Sequence, residues 1–322
     1  MYLNEWLFHK ATKNEELMGL RYNFVEGYIH IKNGANDFIN KPVGIYAIEE
    51  TFDKRTIESN KRKESVILKF SEDYWWAEVK NALVISKKYG LKYNEFMNYD
   101  LIGNAKPPIT VFSESKVLED SVMHSYFKQA KNLLEDLRSK NINISDAFDV
   151  KKLAMSNALT NLFGAIHGTY SINTRFYYNP ISSKLEPISF DGNAGIKLNE
   201  YVDFSYPGKT TDTTYIKELI LALNKVSSPN YINNLVSSNE KDLKYYSDIL
   251  KTEFRTRFYN IDNMRANQQL MIAKRNALAE EFNLTDLIDN NTVASTQAVS
   301  AETSAGETSA VIPAERTWQV IN

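Results

Sequence analysis

The chain has 322 residues, 43% of them hydrophobic and 24% charged, with a formal net charge of −2. That is a globular composition, long enough for one large core or two lobes, and its near-neutrality removes any broad attraction for nucleic acid or anionic lipid. The lack of cysteine excludes disulfides, thiolate metal sites and cysteine nucleophiles, and no run approaches the ~18 apolar residues of a transmembrane segment.

Residues 1–20 read as a helix that reaches Met18 and stops at Gly19. Its opening lacks the basic start, long apolar stretch and small-residue cleavage site of a signal peptide. Tyr22, Phe24, Tyr28, Ile29 and Ile31 mark a strand, and Asn33-Gly34 is a hairpin-type turn. Val43 to Glu49 is a second strand whose continuous apolar run implies burial. Asp53 to Glu64 is dense in charge and reads as a solvated helix or loop. Val66 to Phe70 is a third strand, followed by Trp75-Trp76. Residues 80–110 carry no clear period, and Lys106-Pro107-Pro108 marks a break.

Beyond it the helical period takes over. Ser115 to Arg138 reads as one long amphipathic helix. Ser145 or Asp146 is expected to cap the next, which ends at Gly164. Arg175 to Tyr178 alternate as a half-buried strand does, Asn179-Pro180 with Ser182-Ser183 makes a turn, and Leu185 to Phe190 returns before Asp191-Gly192 breaks the strand. Helices follow over Tyr215 to Val226, from Pro229, over Glu240 to Tyr259 and over Ile261 to Phe282. From about Asn290 the composition turns Ser/Thr/Ala-rich, so residues 288–322 are expected to be a flexible tail or linker.

The hairpin of residues 173–195 carries the most chemical information. It has an Asn where it begins and a carboxylate where it ends, a pattern suited to a hard cation held against phosphates. Asp191, directly after a buried strand, is either a metal ligand or a turn Asp bonding to the backbone. Asn173 is a second oxygen ligand or a turn residue. His167 ends the Phe163-Gly164 helix; it serves as a general base, contacts substrate, or simply favours the helix C-terminus. Lys69 with Glu50 or Glu49 is a phosphate-holding pair or a solvated ion pair, and alternation lets at most one of the two glutamates face a cleft. Arg175 recognises phosphate or pairs with Glu186 across the hairpin. The usual nucleotide-loop, dinucleotide, zinc-protease and nucleophile-elbow motifs are absent from the sequence.

Gly44-Ile-Tyr-Ala-Ile-Glu-Glu50, Ile67-Leu-Lys-Phe70, Phe163-Gly-Ala-Ile-His-Gly168 and Phe190-Asp191-Gly-Asn-Ala-Gly195 occur in that order. In these pieces the chain resembles the CotH (spore coat protein H) kinase family over about residues 20–200. The resemblance implies an α+β, protein-kinase-like two-lobed fold: an incomplete strand-rich small lobe over residues 1–112 and a helical large lobe over 113–287. It implies ATP as co-substrate, Mg²⁺ (or Mn²⁺) at Asp191, Asn173 and Asn193, and phosphoryl transfer to protein hydroxyls. The chain departs from the family in three places. His167 stands where an Asp is usual, Asn193 stands where a second acid is frequent, and the strands expected upstream of Gly44-Ile-Tyr46 are missing. These departures point instead to a catalytically impaired pseudokinase or a surface-associated binding or scaffolding module. They also suggest a piece of a longer protein, secreted or on the cell surface if a signal lies upstream.

Overall fold

The computed structural model describes residues 2–33, 38–90, 92, 107–204, 210–254 and 259–288. The Asn33-Gly34 turn, the Lys106 break and the expected tail lie wholly or partly outside them.

Helix α1 (Tyr2–Asn14) places Leu3, Trp6, Leu7, Phe8 and Ala11 at helical spacing, all buried. It ends earlier than expected. Glu16 adopts a left-handed φ of 56°, and the Leu17 N–H returns to the Thr12 carbonyl. Met18–Gly19 then run as strand β1 rather than a last helical turn.

Strands β2 (Tyr22–Lys32) and β3 (Phe38–Glu49) form an antiparallel two-stranded ribbon. The burial expected for β3 is not found. Tyr28, Ile29, Ile31, Phe38, Ile39, Tyr46 and Ile48 are all exposed, because no layer among the described residues covers the ribbon's outer part. Asp53 caps the short helix α2 (Lys54–Ser59), its side chain accepting from the Arg55 N–H.

The main sheet has five strands in the order β1-β7-β6-β4-β5. They are β4 (Ile67–Phe70), β5 (Ile109–Val111), β6 (Arg175–Asn179) and β7 (Lys184–Ser189), with β1 pairing in parallel to β7 and the rest antiparallel. Strands from both sides of residue 112 thus share one sheet. Lys69 lies opposite Arg175 in register, and Tyr177 lies opposite Glu186. One face, with Leu68, Phe70, Phe176, Tyr178 and Leu185, joins the main core; the other forms a small cluster of Met18, Ile57, Ile67, Tyr177 and Ile188.

Helix α3 (Asp73–Tyr89) occupies part of the stretch that carried no clear period, ending at a left-handed Gly90. The long helix expected from Ser115 is two: α4 (Glu114–Glu119) and α5 (Ser121–Arg138). Asp120 breaks it, since its carboxylate accepts from the Val122 and Met123 N–H groups as an N-cap. Likewise Ser145 and Asp146 are not the caps expected. Asn143 opens the short α6 (Ile144–Ala147), and Asp149 caps α7 (Val150–Phe163). Helices α8 (Thr213–Val226), α9 (Tyr231–Ser238), α10 (Glu240–Lys251) and α11 (Ile261–Glu281) complete an α+β chain.

Glu186 is fully buried and accepts from Arg62 Nε at 2.9 Å and Asn179 Nδ2 at 2.7 Å, with Lys152 Nζ at 2.9 Å. One carboxylate therefore ties the segment after α2, helix α7 and the hairpin together. Glu186→Ala should leave the half-buried Arg62 without a carboxylate, while Lys152 keeps Asp149 at 2.9 Å, and should cost about 3–5 kcal/mol, measured by urea unfolding. A loss under about 1 kcal/mol, the scale of an exposed ion pair, would contradict the assigned role.

Candidate functional site

Two loops clasp one another at the end of the main sheet. Helix α7 closes at Gly164 with φ 58°, where a Cβ would lie 2.0 Å from the Ile196 carbonyl oxygen, so only glycine fits. A single 3₁₀ turn (Ile166–Thr169) follows and carries His167. After β7 the chain takes left-handed conformations at Asp191 (φ 45°) and Asn193 (φ 50°), which Asp and Asn tolerate better than most residues. The His167 N–H donates to the Gly192 carbonyl at 3.2 Å.

His167 and Asp191 form a pair. His167 Nδ1 lies 3.1 Å from Asp191 Oδ2 and 3.0 Å from the Asp191 carbonyl oxygen. Asn173 Nδ2 lies 3.0 Å from the same ring nitrogen and donates to the His167 carbonyl at 3.1 Å. Two acceptor oxygens at Nδ1 favour the tautomer with the proton there, which leaves Nε2 as the ring's acceptor. Both side chains are over 40% exposed, so the pair is reachable from solvent.

Glu5 of α1 faces this pair from below. Its carboxylate accepts from Gly192 N–H at 3.0 Å and Ala194 N–H at 2.7 Å. Burial works to raise its pKa, but His9 and these backbone donors outweigh it, and the carboxyl stays below its ordinary value. Buried His9 has Nε2 3.6 Å from Glu5 and 3.7 Å from Glu49, and neither of its ring nitrogens makes a hydrogen bond. Glu49, at the end of β3, is pushed up to about 7 by burial and then by the charges of Glu5 and Asp191, with His9 opposing. A cleft of 430 Å³ collects Glu5, Glu49, His167, Asp191 and Asn193 between Tyr2 and Tyr22.

Of the residues singled out from the sequence, His167, Asp191 and Asn193 thus line one cleft, and Asn173 stands behind His167 as its support. Glu49, not Glu50, is the glutamate that faces the cleft. Glu50 is held elsewhere by Arg21, whose Nε and Nη2 donate at 3.1 and 2.7 Å. Lys69 also lies apart from the cleft, its Nζ 4.9 Å from the centre of the Phe112 ring. Arg175 does not pair with Glu186. It is buried among Phe52, Phe112 and Phe190, with ring centres 5.3–5.7 Å from its guanidinium, and it donates to the Ile172 and Thr174 carbonyls. Burial lowers its pKa.

Sequence reasoning missed Glu5 and His9. Their i, i+4 spacing on a helix was the available signal. We found no protein-family model that matches the chain and no curated protein that matches it.

The raised Glu49 gives a pH signature. A carboxyl whose folded pKa is about 7 against an ordinary 4.5 favours the fold when protonated. That contribution is full below the ordinary value and is lost as pH rises through 7. The wild-type melting temperature should therefore fall relative to Glu49→Gln between pH 5 and pH 8; parallel profiles would remove the clustered-carboxylate account.

Proposed function

We propose that the chain is a CotH-like member of the kinase-like proteins, with a cleft that takes ATP with a divalent cation and directs phosphate to a protein hydroxyl. One observation carries this reading. Asp191, closing the hairpin, shares a cleft with His167 from the end of α7 and with Glu49 from the end of the Gly44-Ile-Tyr46 strand. On this reading α1 and the β2–β3 ribbon are the small-lobe wall of a two-lobed, kinase-like fold, and α7 with the hairpin is the large-lobe wall.

The donor chemistry fits Mg²⁺ or Mn²⁺, which prefer oxygen ligands. No group of three or more His, Asp or Glu side chains among the described residues is arranged to hold a metal. Mg²⁺ needs no such cage, since it binds through one or two carboxylates plus substrate phosphates and water. Asp191 and Asn193 would hold it, and Glu49 gains from any positive charge placed between the carboxylates. The bound cation would neutralise phosphate charge. His167 Nε2 takes the proton of the acceptor hydroxyl, while Asp191 accepts from Nδ1–H and Asn173 donates to the His167 carbonyl. Asn173 spends its amide nitrogen on His167, so its part is to orient the imidazole rather than to bind metal.

A specific observation favours a second reading, a catalytically impaired pseudokinase or binding module. No Lys or Arg lines the cleft among the described residues, and Lys69 is packed against Phe112. A phosphate-holding cation is then lacking.

Thermal unfolding with ATP and Mg²⁺ separates these cases. A ligand at a hundredfold excess over its Kd stabilises by about 2.7 kcal/mol, and Asp191→Ala should abolish that gain. If transfer occurs, His167→Ala should slow it by roughly 10²–10⁴-fold. Stabilisation without turnover supports the second reading. No stabilisation of the wild type by ATP and Mg²⁺ contradicts both nucleotide-binding readings and favours the binding module.

A further inference from the structure

A second cavity, of 540 Å³, lies on the far side of His9 and Tyr22 from the acidic cleft. It is walled by the end of α1, the start of β2 and the segment that follows α2. Five cationic side chains line it (Lys10, Lys13, Arg21, Lys61 and Arg62), against the single carboxylate of Glu16.

Three of the five are already engaged. Lys10 lies 3.5 Å from Asp242, Arg21 is bound to Glu50, and Arg62 is bound to Glu186. Lys13 and Lys61 are exposed, and neither has a carboxylate within ion-pair distance among the described residues. Basic residues after a helix are common because the C-terminal dipole favours them. That preference does not explain why the ends of two separate helices turn their cations into one cavity. Nor does it explain two buried groups in the same wall. Trp6 Nε1 and His9 Nδ1 have no hydrogen-bond partner, although Trp6 is 1% and His9 6% exposed, and only His9 Nε2 faces carboxylates, those of Glu5 and Glu49. A buried N–H left unpaired costs about 1–3 kcal/mol, so donors of this kind signal a missing acceptor.

The remaining wall is apolar, with buried Leu17 and Leu20. The volume lies in the range of small-molecule sites, roughly 300–1,000 Å³. Lysine ammonium groups serve as point charges for phosphate, while neutral N–H donors complete its hydrogen bonds.

We propose that this cavity is a phosphate-binding site, taking either free phosphate or the phosphate of a small organic ester, with Lys13 and Lys61 as its principal cations. It is independent of the nucleotide reading of the acidic cleft, because none of the cleft's carboxylates lines it. Tyr22 belongs to both walls, so the two sites are neighbours.

The test is calorimetric titration of the full chain at constant ionic strength with inorganic phosphate and, separately, with AMP. The wild type should bind at least one of them saturably. A Lys13→Gln, Lys61→Asn double variant should bind about tenfold or more weakly, the effect of losing about 1.4 kcal/mol; Asn suits the left-handed φ of 55° at position 61. Asp191→Ala should bind as the wild type does. Tighter binding of AMP than of phosphate identifies an ester as the ligand, and equal or tighter binding of phosphate identifies the free ion. The proposal is overturned if neither ligand binds saturably, if the double variant binds as tightly as the wild type, or if binding is lost in Asp191→Ala.

Discussion

Glu5 accepts two backbone N–H groups from the loop that follows β7, a contact spanning 187 and 189 residues of sequence. The geometry of the cleft depends on it. The loop places Asp191 and Asn193 in left-handed backbone conformations, which cost energy unless surrounding bonds enforce them. A charged acceptor makes stronger hydrogen bonds than a neutral one, so Glu5 is well suited to hold the turn. Holding Glu5 ionised has a consequence for Glu49. Its carboxyl is already disfavoured by burial, and the neighbouring charges of Glu5 and Asp191 push it further toward protonation. His9 sits between the two glutamates and moderates both. The acidic character of the cleft therefore follows from the bond that shapes it.

The opposite problem, buried charge on the main sheet, is solved in two ways on one face. Glu186 gathers Arg62, Lys152 and Asn179 around a fully buried carboxylate. Arg175, two register positions away, is enclosed by three phenylalanine rings and bonds to carbonyls of the turn before its own strand. That turn contains Asn173, which supports His167. The same aromatic enclosure takes up Lys69 through Phe112. Both basic residues that looked suited to phosphate are thus committed to the sheet, and the cleft itself stays anionic.

What the sequence disclosed follows the range of each interaction. The β6–β7 hairpin was legible because its alternation and its Asn-Pro turn are local, and the final Asp191 stood out as a carboxylate beyond a buried strand. Alternation also implied that at most one of Glu49 and Glu50 faces a cleft. Helix ends were harder. Asp120 and Asp149 lie inside otherwise helical patterns, and only their cap geometry reveals a break. Burial of β3 was overstated, since an apolar run cannot show whether a covering layer exists. Glu5 was invisible for a different reason. An acid in the first turn of a helix is ordinary, and nothing near it in sequence points to a loop almost 190 residues away.

The central proposal is that the cleft between Glu49 and Asp191 takes a metal and a nucleotide, and that it is distinct from the basic cavity beyond His9. A crystal structure with Mg²⁺ and a non-hydrolysable ATP analogue tests it most directly. The account predicts a cation bound to the Asp191 carboxylate, with the triphosphate in the same cleft. Nucleotide density absent from that cleft, or found only against Lys13 and Lys61, would contradict it.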